Sequence, residues 1–574
     1  MNKKSTIAAI ILFTSLSACT ETPQTDGEQP VQEEQAKSIR QTPLPPAEPL
    51  PAHPEKRKSK DGKQEELISG AILEMSAIPS VVARNAGQMM SQDRVHLSAP
   101  GQWNRESYNA TDEKGYSSCL HAPLSTFSID VDTASYANLR RFVTQGTLPP
   151  IGAVRIEEMI NYFSYDYVQP QGKQAVAIAT EVGPSPYHRD YSLVQIKVKA
   201  KDMEPTGLPP SNLVFLVDVS GSMNQPNKLG LLKQSMKLLI ENLDQDDRVA
   251  IVAYAGSDRV VLKPTSGERK ETIIAAVNSL QSGGSTHGSQ GILTAYQLAR
   301  QVFMPSGNNR VILASDGDFN VGVTSRGELK KLIATQRDTA IYLTVLGFGM
   351  GNYHDDTMEL LADSGNGNYA YIDSLLEAKK VLVKEMGGTL FTVAKDAKIQ
   401  VEFNPALVGA YRLIGYENRA LADEDFKNDT KDAGEIGVGH TVTALYEIIP
   451  AGHKAVPRID TLKYQQLQLL SPEKSKDLLT VKLRYKEQGS TVSTEISQSL
   501  TMNSKPLAEM SDDFRFAAAV AGFGMLLQDS EHLGTFSWDQ CMELIRDARG
   551  ADREGYRAEL LRLVEMSKLL KDNG

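Results

Sequence analysis

Three oxygen-bearing side chains follow an apolar run at alternate positions in the stretch LVFLVDVSGSM: Asp218, Ser220 and Ser222. Two more oxygen donors stand on later loops. Asp316 follows the apolar run VILAS, and Thr286 lies in GGSTHG ahead of a helical stretch. Carboxylates and hydroxyls, with no thiolate or imidazole among them, are the ligands that Mg²⁺ prefers in proteins. The residue types therefore predict a magnesium site rather than a zinc or copper site.

These side chains can meet only if the elements that carry them belong to one sheet. Between 211 and 385, the apolar runs LVFLV, RVAIVAYA, RVILAS and AIYLTVLGFG alternate with helical stretches. One face of the helix after the first motif is formed by residues three and four apart: Leu229, Leu232, Met236, Leu239 and Leu243. The pattern predicts an α/β fold with a doubly wound, mostly parallel sheet, and such sheets bind ligands at the carboxyl ends of their strands.

The motifs DVSGSM, GGSTHG and ASDGDFN, in this order, resemble the metal-ion-dependent adhesion site of von Willebrand factor type A (VWA) domains. The resemblance implies a ligand set that acts partly through water: Asp218, Ser220, Ser222, Thr286 and Asp316. It also implies that an acidic side chain of a protein partner completes the coordination shell. Two positions depart from the family pattern. Ser315 replaces the commoner threonine, and Ser285, inserted before Thr286, is an alternative ligand.

The resemblance extends into the regions on both sides of this domain. The stretches STFSIDVDTASYANLRRF, RIEEMINYFSYDY, YRLIGYENRALADEDF and DAGEIGVGHTVTALYEI are similar to the flanks of a group of exported bacterial VWA lipoproteins. We therefore predict an N-terminal flanking domain (116–205), a VWA domain (211–385) and a C-terminal domain (390–574). Alternating apolar runs in the first part of the C-terminal domain indicate antiparallel strands, and its last part is helical.

The N-terminus has the features of a secretory signal, with a cationic MNKK, an apolar TIAAIILF and a small-residue LSAC. LSAC resembles the bacterial lipobox, which implies that residues 1–18 are removed and that Cys19 carries the lipid anchor. Because Thr20 rather than an aspartate follows Cys19, the resemblance favours the outer membrane, facing the periplasm, in a Gram-negative source. The Pro-, Glu- and Gln-rich segment 19–115 is predicted to be a disordered tether.

The net charge narrows the class of partner, and the cysteine content raises the question of a disulfide. The 61 basic and 71 acidic residues give a net charge of −10, which argues against nucleic acid as the main partner. Beyond Cys19 the chain has two cysteines, Cys119 and Cys541. An exported protein can form disulfides, so these two either pair or remain buried free thiols.

A second acidic motif, FSIDVDTAS, is superficially similar to the first motif of aspartyl-phosphate hydrolases. Asp130 and Asp132 fit that pattern, but Ala134 stands at its fifth position and no partnering lysine motif is apparent. We expect the aspartates to have a structural or capping role, with Asp132 or Thr133 beginning the next helix.

Three further patterns have ordinary structural explanations. HGSQG lacks the first glycine of a nucleophile elbow because His287 stands there, which argues against Ser289 as a nucleophile. GFGMG (347–351) lacks a full dinucleotide fingerprint and predicts a tight turn at the sheet edge. A group of acidic residues lacks the glycine of a calcium loop and predicts a solvated connection: Asp423, Glu424, Asp425, Asp429 and Asp432.

The sequence thus predicts a binding module rather than an enzyme. We expect a lipid-anchored envelope protein that binds a protein partner through a Mg²⁺-dependent adhesion site. One alternative is a metal-dependent phosphohydrolase that uses Asp130 and Asp132 or the cation site. Another is an envelope scaffold whose flanks bind the partner while the metal only stabilises the fold.

Overall fold

The structure, a computed structural model, covers the main body of the chain. It describes residues 106–109, 112–129, 132–203, 208–284, 289–317, 326–351, 353–385, 391–431, 433–460, 464, 475–487, 489–503 and 505–573. Within these ranges, every helix is too short or too polar to cross a membrane. The predicted signal peptide (1–18), Cys19 and Asp130 lie outside the described residues.

The described strands and helices alternate through the middle of the chain and separate into strands and then helices near its end. The strands are β1 (Ser117–Ser118), β2 (Leu124–Ser128), β3 (Val176–Pro184), β4 (Ser192–Ala200), β5 (Ser211–Asp218), β6 (Arg248–Tyr254), β7 (Asp258–Ser266), β8 (Asn308–Ser315), β9 (Tyr342–Phe348), β10 (Tyr369–Ile372), β11 (Thr392–Phe403), β12 (Val408–Ile414), β13 (Gly434–Gly437), β14 (Thr441–Pro450), β15 (Asp477–Glu487) and β16 (Ser493–Thr501). The α-helices are α1 (Ala134–Thr144), α2 (Ile156–Asn161), α3 (Leu231–Glu241), α4 (Lys270–Asn278), α5 (Ser289–Gln301), α6 (Arg326–Arg337), α7 (Asp355–Ser364), α8 (Leu375–Lys379), α9 (Asp512–Gln528), α10 (Trp538–Asp547) and α11 (Tyr556–Asn573).

The central sheet has the strand order β10-β9-β8-β5-β6-β7, and its neighbours are parallel except for the antiparallel pair β6–β7. Side chains of β5 alternate between two apolar cores, as the pleat of a strand requires. Leu213 and Phe215 belong to the core on one face, and Val214 and Leu216 to the core on the other. Every residue of β5 is therefore buried. The predicted doubly wound, mostly parallel sheet is confirmed.

Two antiparallel sheets form a sandwich beside the central sheet. Their strand orders are β1-β12-β14-β4-β3 and β13-β11-β15-β16, and β2 pairs with β11. Ile196 and Tyr446 of the first sheet share one apolar core with Val401 and Leu483 of the second. A core shared by two facing sheets is the mark of a β-sandwich, so the β-rich flank predicted from the sequence is present.

The sandwich corrects the predicted division of the flanks into separate domains. β3 and β4, from 116–205, lie in the same sheet as β12 and β14, from 390–574. The two segments therefore form one body whose chain is interrupted by the central α/β domain. A sheet whose strands come from both segments cannot be divided between two independently folded domains.

The C-terminal helices pack against helices from the N-terminal segment as well as against the sandwich. Phe514 and Phe516 of α9 share a core with Tyr136 of α1 and Met159 of α2, and Leu445 of β14 belongs to the same core. Helices from the N-terminal segment and from the C-terminal end of the described chain therefore form one hydrophobic core.

The chain joins this fold earlier than the predicted tether boundary at residue 115. The Ser107 N–H donates to the carbonyl oxygen of Tyr353 at 2.9 Å. The Glu106 carboxylate pairs with the Arg141 guanidinium, also at 2.9 Å. Residues 106–109 therefore belong to the folded body, whereas the remainder of the predicted tether before residue 106 lies outside the described residues.

The two described cysteines are buried free thiols rather than a disulfide. Cys119 lies in the core of the sandwich and Cys541 in the helical core. Burial raises the pKa of Cys119 to about 12 and that of Cys541 well above its usual range. Since the thiolate is the reactive form, both side chains act as small apolar residues.

Glu157 of α2 gives the flanking body a pH-dependent stability. The side chain is 4% exposed, and burial together with the charges of Glu417 and Glu158 raises its pKa to about 7 from 4.5. Because the pKa in the folded state is the higher one, the contribution of Glu157 to stability is full below the unfolded value. It is lost as the pH rises through about 7.

We therefore expect Glu157→Gln to gain stability relative to the wild-type protein as the pH rises. The gain in the free energy of unfolding between about pH 5 and about pH 8 should be on the order of 2 kcal/mol, measured by urea unfolding. A stability difference between the two proteins that is the same at both pH values would contradict this account.

Candidate metal centre

Neighbouring strands of the central sheet bring the predicted metal ligands to one edge. Asp218 is the last residue of β5, which lies between β6 and β8. β6 ends at Tyr254, the register partner of Asp218, and β8 ends at Ser315, with Asp316 following directly. Asp218, Ser315 and Asp316 are all buried. The carboxyl edge of the sheet therefore holds the site, as the strand pattern predicts.

Hydrogen bonds fix both oxygens of the Asp218 carboxylate. Oδ1 accepts from the backbone N–H of Ser220 at 2.8 Å. Oδ2 accepts from the Tyr254 hydroxyl at 3.3 Å and from the Ser315 hydroxyl at 3.2 Å. Burial raises the pKa of Asp218 to about 6, and the nearby charge of Asp316 raises it further while the bonds to Ser220 and Ser315 oppose the shift. This carboxylate is held rigidly and ionises at a cost, so a cation close to it would be stabilising.

The two serines of the motif present their hydroxyls together. The Oγ atoms of Ser220 and Ser222 are 2.9 Å apart. Ser220 is buried, whereas Ser222 is exposed, so the pair leads from the sheet edge to solvent. The turn is held by the 281–284 loop, because the Gly221 N–H donates to the Gly284 carbonyl oxygen at 3.1 Å. Thr286 and the alternative ligand Ser285 follow this loop and lie outside the described residues.

Asp316 supplies the second carboxylate of the site. Its Oδ2 accepts from the Lys228 ammonium at 2.9 Å. Its Oδ1 is buried and has no hydrogen-bond partner among the described residues. A buried carboxylate oxygen without a partner is costly, because its desolvation is not repaid by a hydrogen bond.

The residues present fit a hard divalent cation. Two carboxylates and two hydroxyls supply oxygen ligands, and the carboxylates would balance the charge of Mg²⁺. The strongest sign is the Asp316 oxygen that no described residue satisfies, since a cation or its bound water would satisfy it. Four of the five predicted ligands thus lie in described parts of the chain, and the structure places all four at one sheet edge.

Two polar residues of the site are absent from the sequence prediction. Tyr254 ends β6 and donates to Asp218, but a tyrosine at the end of an apolar strand has no distinctive pattern. Lys228 does offer a signal, because it is the only charged residue between Asp218 and Lys233. A lone lysine in an otherwise neutral stretch, close to a predicted carboxylate site, indicates a counter-charge for those carboxylates.

The second acidic motif lies away from the sheet edge that holds the site. Asp132 is 2% exposed; its Oδ1 accepts from the Tyr369 N–H at 2.7 Å and its Oδ2 from Arg419 at 3.3 Å. α1 begins at Ala134 with Thr133 at the N-cap position, and the Thr133 side chain makes no capping hydrogen bond. The first-turn N–H of Ser135 donates instead to the Glu158 carboxylate at 2.9 Å. Asp132 therefore has a structural role, as expected, but this role is ion pairing between distant segments rather than helix capping.

Asp132 belongs to a buried network of carboxylates and guanidiniums. Asp132, Glu158 and Glu359 each offer an oxygen within 4.8 Å of the other two. Arg155 donates to Glu158, and Arg419 donates to both Asp132 and Glu359. The two guanidiniums account for this acidic cluster as an ion-pair network between the N-terminal segment, α7 and the turn after β12. Arg419 thus gives Asp132 a structural partner, whereas Asp130, the first aspartate of the hydrolase pattern, lies outside the described residues.

The remaining sequence patterns are structural where they are described. Gly349 has φ +79°, as expected for a tight turn after β9. Ser289 begins α5, while His287 lies outside the described residues. The acidic group near 423–432 is ion-paired in part, because Asp429 binds Arg484 at 3.0 Å. Asp432 lies outside the described residues.

Three family models match consecutive parts of the chain. A model described as von Willebrand factor matches residues 102–195, the von Willebrand factor type A domain matches 212–384, and a model described as "Uncharacterized protein YfbK, C-terminal" matches 388–570. The boundaries of the second match agree with the central α/β body. VWA domains are mainly protein-interaction modules and often depend on a metal.

Individual proteins are similar to the chain to different extents. YfbK of Escherichia coli (strain K12) is 43% identical over 489 residues, which cover 83% of each chain. The protein sll0103 of Synechocystis sp. is 28% identical over 186 residues, 32% of this chain and 43% of that protein. The solved structure of a von Willebrand factor type A protein from Catenulispora acidiphila is 17% identical, with 67% and 89% of the two chains covered and a TM-score of 0.36.

The match to YfbK spans the central domain and the flanks on both sides of it. The chain therefore belongs to the YfbK family of bacterial proteins, in which a von Willebrand factor type A domain is set between flanking regions of its own family.

Proposed function

We propose that this protein is a binding module that captures a protein partner through a divalent cation, Mg²⁺ in the first place. The cation would be held by the four described side chains at the sheet edge together with Thr286: Asp218, Ser220, Ser222, Asp316 and Thr286. The observation that carries the proposal is the buried Oδ1 of Asp316, which has no hydrogen-bond partner in the described part of the chain and lies at the same sheet edge as the Ser220–Ser222 hydroxyl pair.

When bound, the cation supplies a coordination position that attracts a carboxylate of the partner. The chain prepares that position in two ways. Asp218 is fixed by Ser220, Ser315 and Tyr254, so it can accept a positive charge without reorganising. Ser222 is exposed, so the site opens to solvent on the side from which a partner would approach. Neighbouring loops would then select among acidic partners by shape and charge.

We further propose that the protein acts in the cell envelope. The support is the signal-like segment 1–18 and the lipobox-like LSAC that ends at Cys19. Lipidation of Cys19 would anchor the chain in a membrane, in the outer membrane facing the periplasm if the source is Gram-negative. The segment before residue 106 would then join the anchor to the folded body.

The proposal predicts that partner capture depends on both the cation and Ser222. In a crosslinking pulldown from envelopes, we expect the wild-type protein to retain a partner in Mg²⁺ and to lose it in EDTA. Ser222→Ala should lose the partner in both conditions while keeping the melting temperature of the wild-type protein, because an exposed hydroxyl contributes little to the fold.

The matched control is Ser279→Ala, which removes another exposed serine hydroxyl, one that bonds the Ala276 carbonyl oxygen. This variant should behave as the wild-type protein does. Capture that survives both EDTA and Ser222→Ala would contradict the proposal and would support the scaffold alternative, in which the flanks bind the partner.

A further inference from the structure

Lys228 places its ammonium group inside the candidate metal centre. The residue lies in the turn between the serine motif and α3 and is 4% exposed. Its Nζ donates to Oδ2 of Asp316 at 2.9 Å. A buried ammonium on a proposed metal ligand is unexpected, because it repels the cation that the ligand would bind.

The path of the Lys228 side chain is closely defined by the turn after β9. A Cβ atom added to Gly349 would lie 2.2 Å from Cε of Lys228, so only glycine leaves room for the lysine stem. Gly349 itself is held, because its carbonyl oxygen accepts from the Tyr371 hydroxyl. The ammonium is therefore positioned by the fold and is not a surface lysine that has folded inward.

The charges of the described groups explain what such an ammonium does. Asp218 and Asp316 carry two negative charges and Lys228 one positive charge, so the metal-free site has a single net negative charge. Without Lys228, two buried carboxylates would face each other with no counter-charge. With a divalent cation added, the site carries a net positive charge if Lys228 is present and none if it is absent.

We infer that Lys228 is a built-in counter-cation of the metal centre, an inference that rests on the proposed function. In the metal-free protein it neutralises and positions Asp316. During loading it opposes the incoming cation and so weakens metal affinity. In the loaded protein it leaves the site positively charged, which favours a carboxylate over a neutral ligand. Lys228 is thus a positioning and specificity residue, distinct from the metal ligands.

The test uses Mn²⁺ as the probe and isothermal titration of the full chain. We expect Lys228→Met, which keeps the length of the side chain, to bind Mn²⁺ on the order of tenfold more tightly than the wild-type protein. The metal-free variant should melt at a lower temperature, and Mn²⁺ should raise its melting temperature by more than it raises that of the wild-type protein. Lys237→Met on α3 is the matched control for the lost charge and should leave Mn²⁺ affinity unchanged.

Two further measurements separate charge from other effects. Lys228→Gln removes the charge but retains a hydrogen-bond donor for Asp316, and it should tighten Mn²⁺ binding as Lys228→Met does. If the methionine variant fails to fold, the glutamine variant still tests the inference. Acetate, a minimal carboxylate, should displace Mn²⁺-bound water, followed by water proton relaxation, at lower concentrations in the wild-type protein than in either variant. Acetate binding that is equal in all three proteins would overturn the assigned ligand preference.

The outcomes distinguish this inference from the function on which it rests. If the wild-type protein binds Mn²⁺ as tightly as both Lys228 variants or more tightly, the inference is overturned and the proposed metal site still stands. A wild-type protein that takes up no Mn²⁺ would overturn both. A purely structural Lys228–Asp316 pair would lower the melting temperature of the variants without tightening Mn²⁺ binding.

Discussion

Asp218→Ala is expected to abolish measurable Mg²⁺ and Mn²⁺ binding by the full chain. Asp218 supplies one of two carboxylates at the sheet edge and also receives the Ser220 N–H that shapes the motif turn. Loss of an outer-shell partner alone costs metal sites about 10- to 100-fold in affinity, so loss of this carboxylate should cost at least about 100-fold. Isothermal titration with Mn²⁺ measures the effect directly.

The control for Asp218→Ala is the melting temperature of the metal-free variant, which shows whether the variant is folded. Alanine relieves the desolvation cost of the buried carboxylate but leaves the Ser220 N–H and the Tyr254 and Ser315 hydroxyls without this acceptor. We therefore expect the metal-free variant to be folded, with a melting temperature no higher than that of the wild-type protein. The wild-type protein should gain stability on adding Mn²⁺ and the variant should not. A variant that still gains stability with Mn²⁺ would show that the cation binds elsewhere in the chain.

Arg155→Met is expected to cause the largest loss of stability. Arg155 is 5% exposed and donates to Glu158 and, at 2.5 Å, to Asp355 at the start of α7. Methionine fills a similar volume but leaves two buried carboxylates without their counter-charge. Breaking a buried pair in this way costs about 3–5 kcal/mol, to be measured as a change in the urea midpoint.

A surface ion pair provides the comparison for Arg155→Met. Lys482 binds Glu402 at 2.7 Å, but the two side chains are 28% and 53% exposed. Lys482→Met should therefore cost less than about 1 kcal/mol. Equal losses in the two variants would mean that the buried network between the N-terminal segment and α7 does not contribute as we describe.

The central sheet and its candidate site were predictable because their signals are local. LVFLV is apolar at every position, which indicates a strand covered on both faces, and the structure buries all of β5. Asp218 ends that strand, Ser220 and Ser222 come directly after it, and Asp316 follows another apolar strand. Since parallel strands end at the same edge, strand order along the chain was sufficient to bring these residues together.

The flanks were only partly predictable because strand pairing is not a local property. Alternation of apolar residues in β4 and β14 indicates two half-buried strands, but it does not say that Val194 pairs with Tyr446. These partners are separated by the entire central domain. The prediction of two flanking domains treats each segment alone, whereas the structure joins strands of both segments in the same sheets.

The charged groups that support the site were missed for the same reason. Lys228 reaches Asp316 across 88 positions of sequence, and Arg155 reaches Asp355 across 200. Asp132 lies in a motif that suggests a cap or a hydrolase, and its contacts with Arg419 and the Tyr369 N–H identify its structural role. Ion pairs between distant segments depend on packing that no single stretch of sequence specifies.

The most direct test of the metal-centre account is an anomalous difference map from crystals of the protein grown with Mn²⁺. The account predicts one peak at the carboxyl edge of the central sheet, with the Ser220 and Ser222 hydroxyl oxygens at about 2.1 Å from the ion, as for Mg²⁺ in proteins. Asp218 and Asp316 should bind the ion directly or through water. A map with no peak at this edge, or with the ion held by Asp132, Glu158 and Glu359 instead, would contradict it.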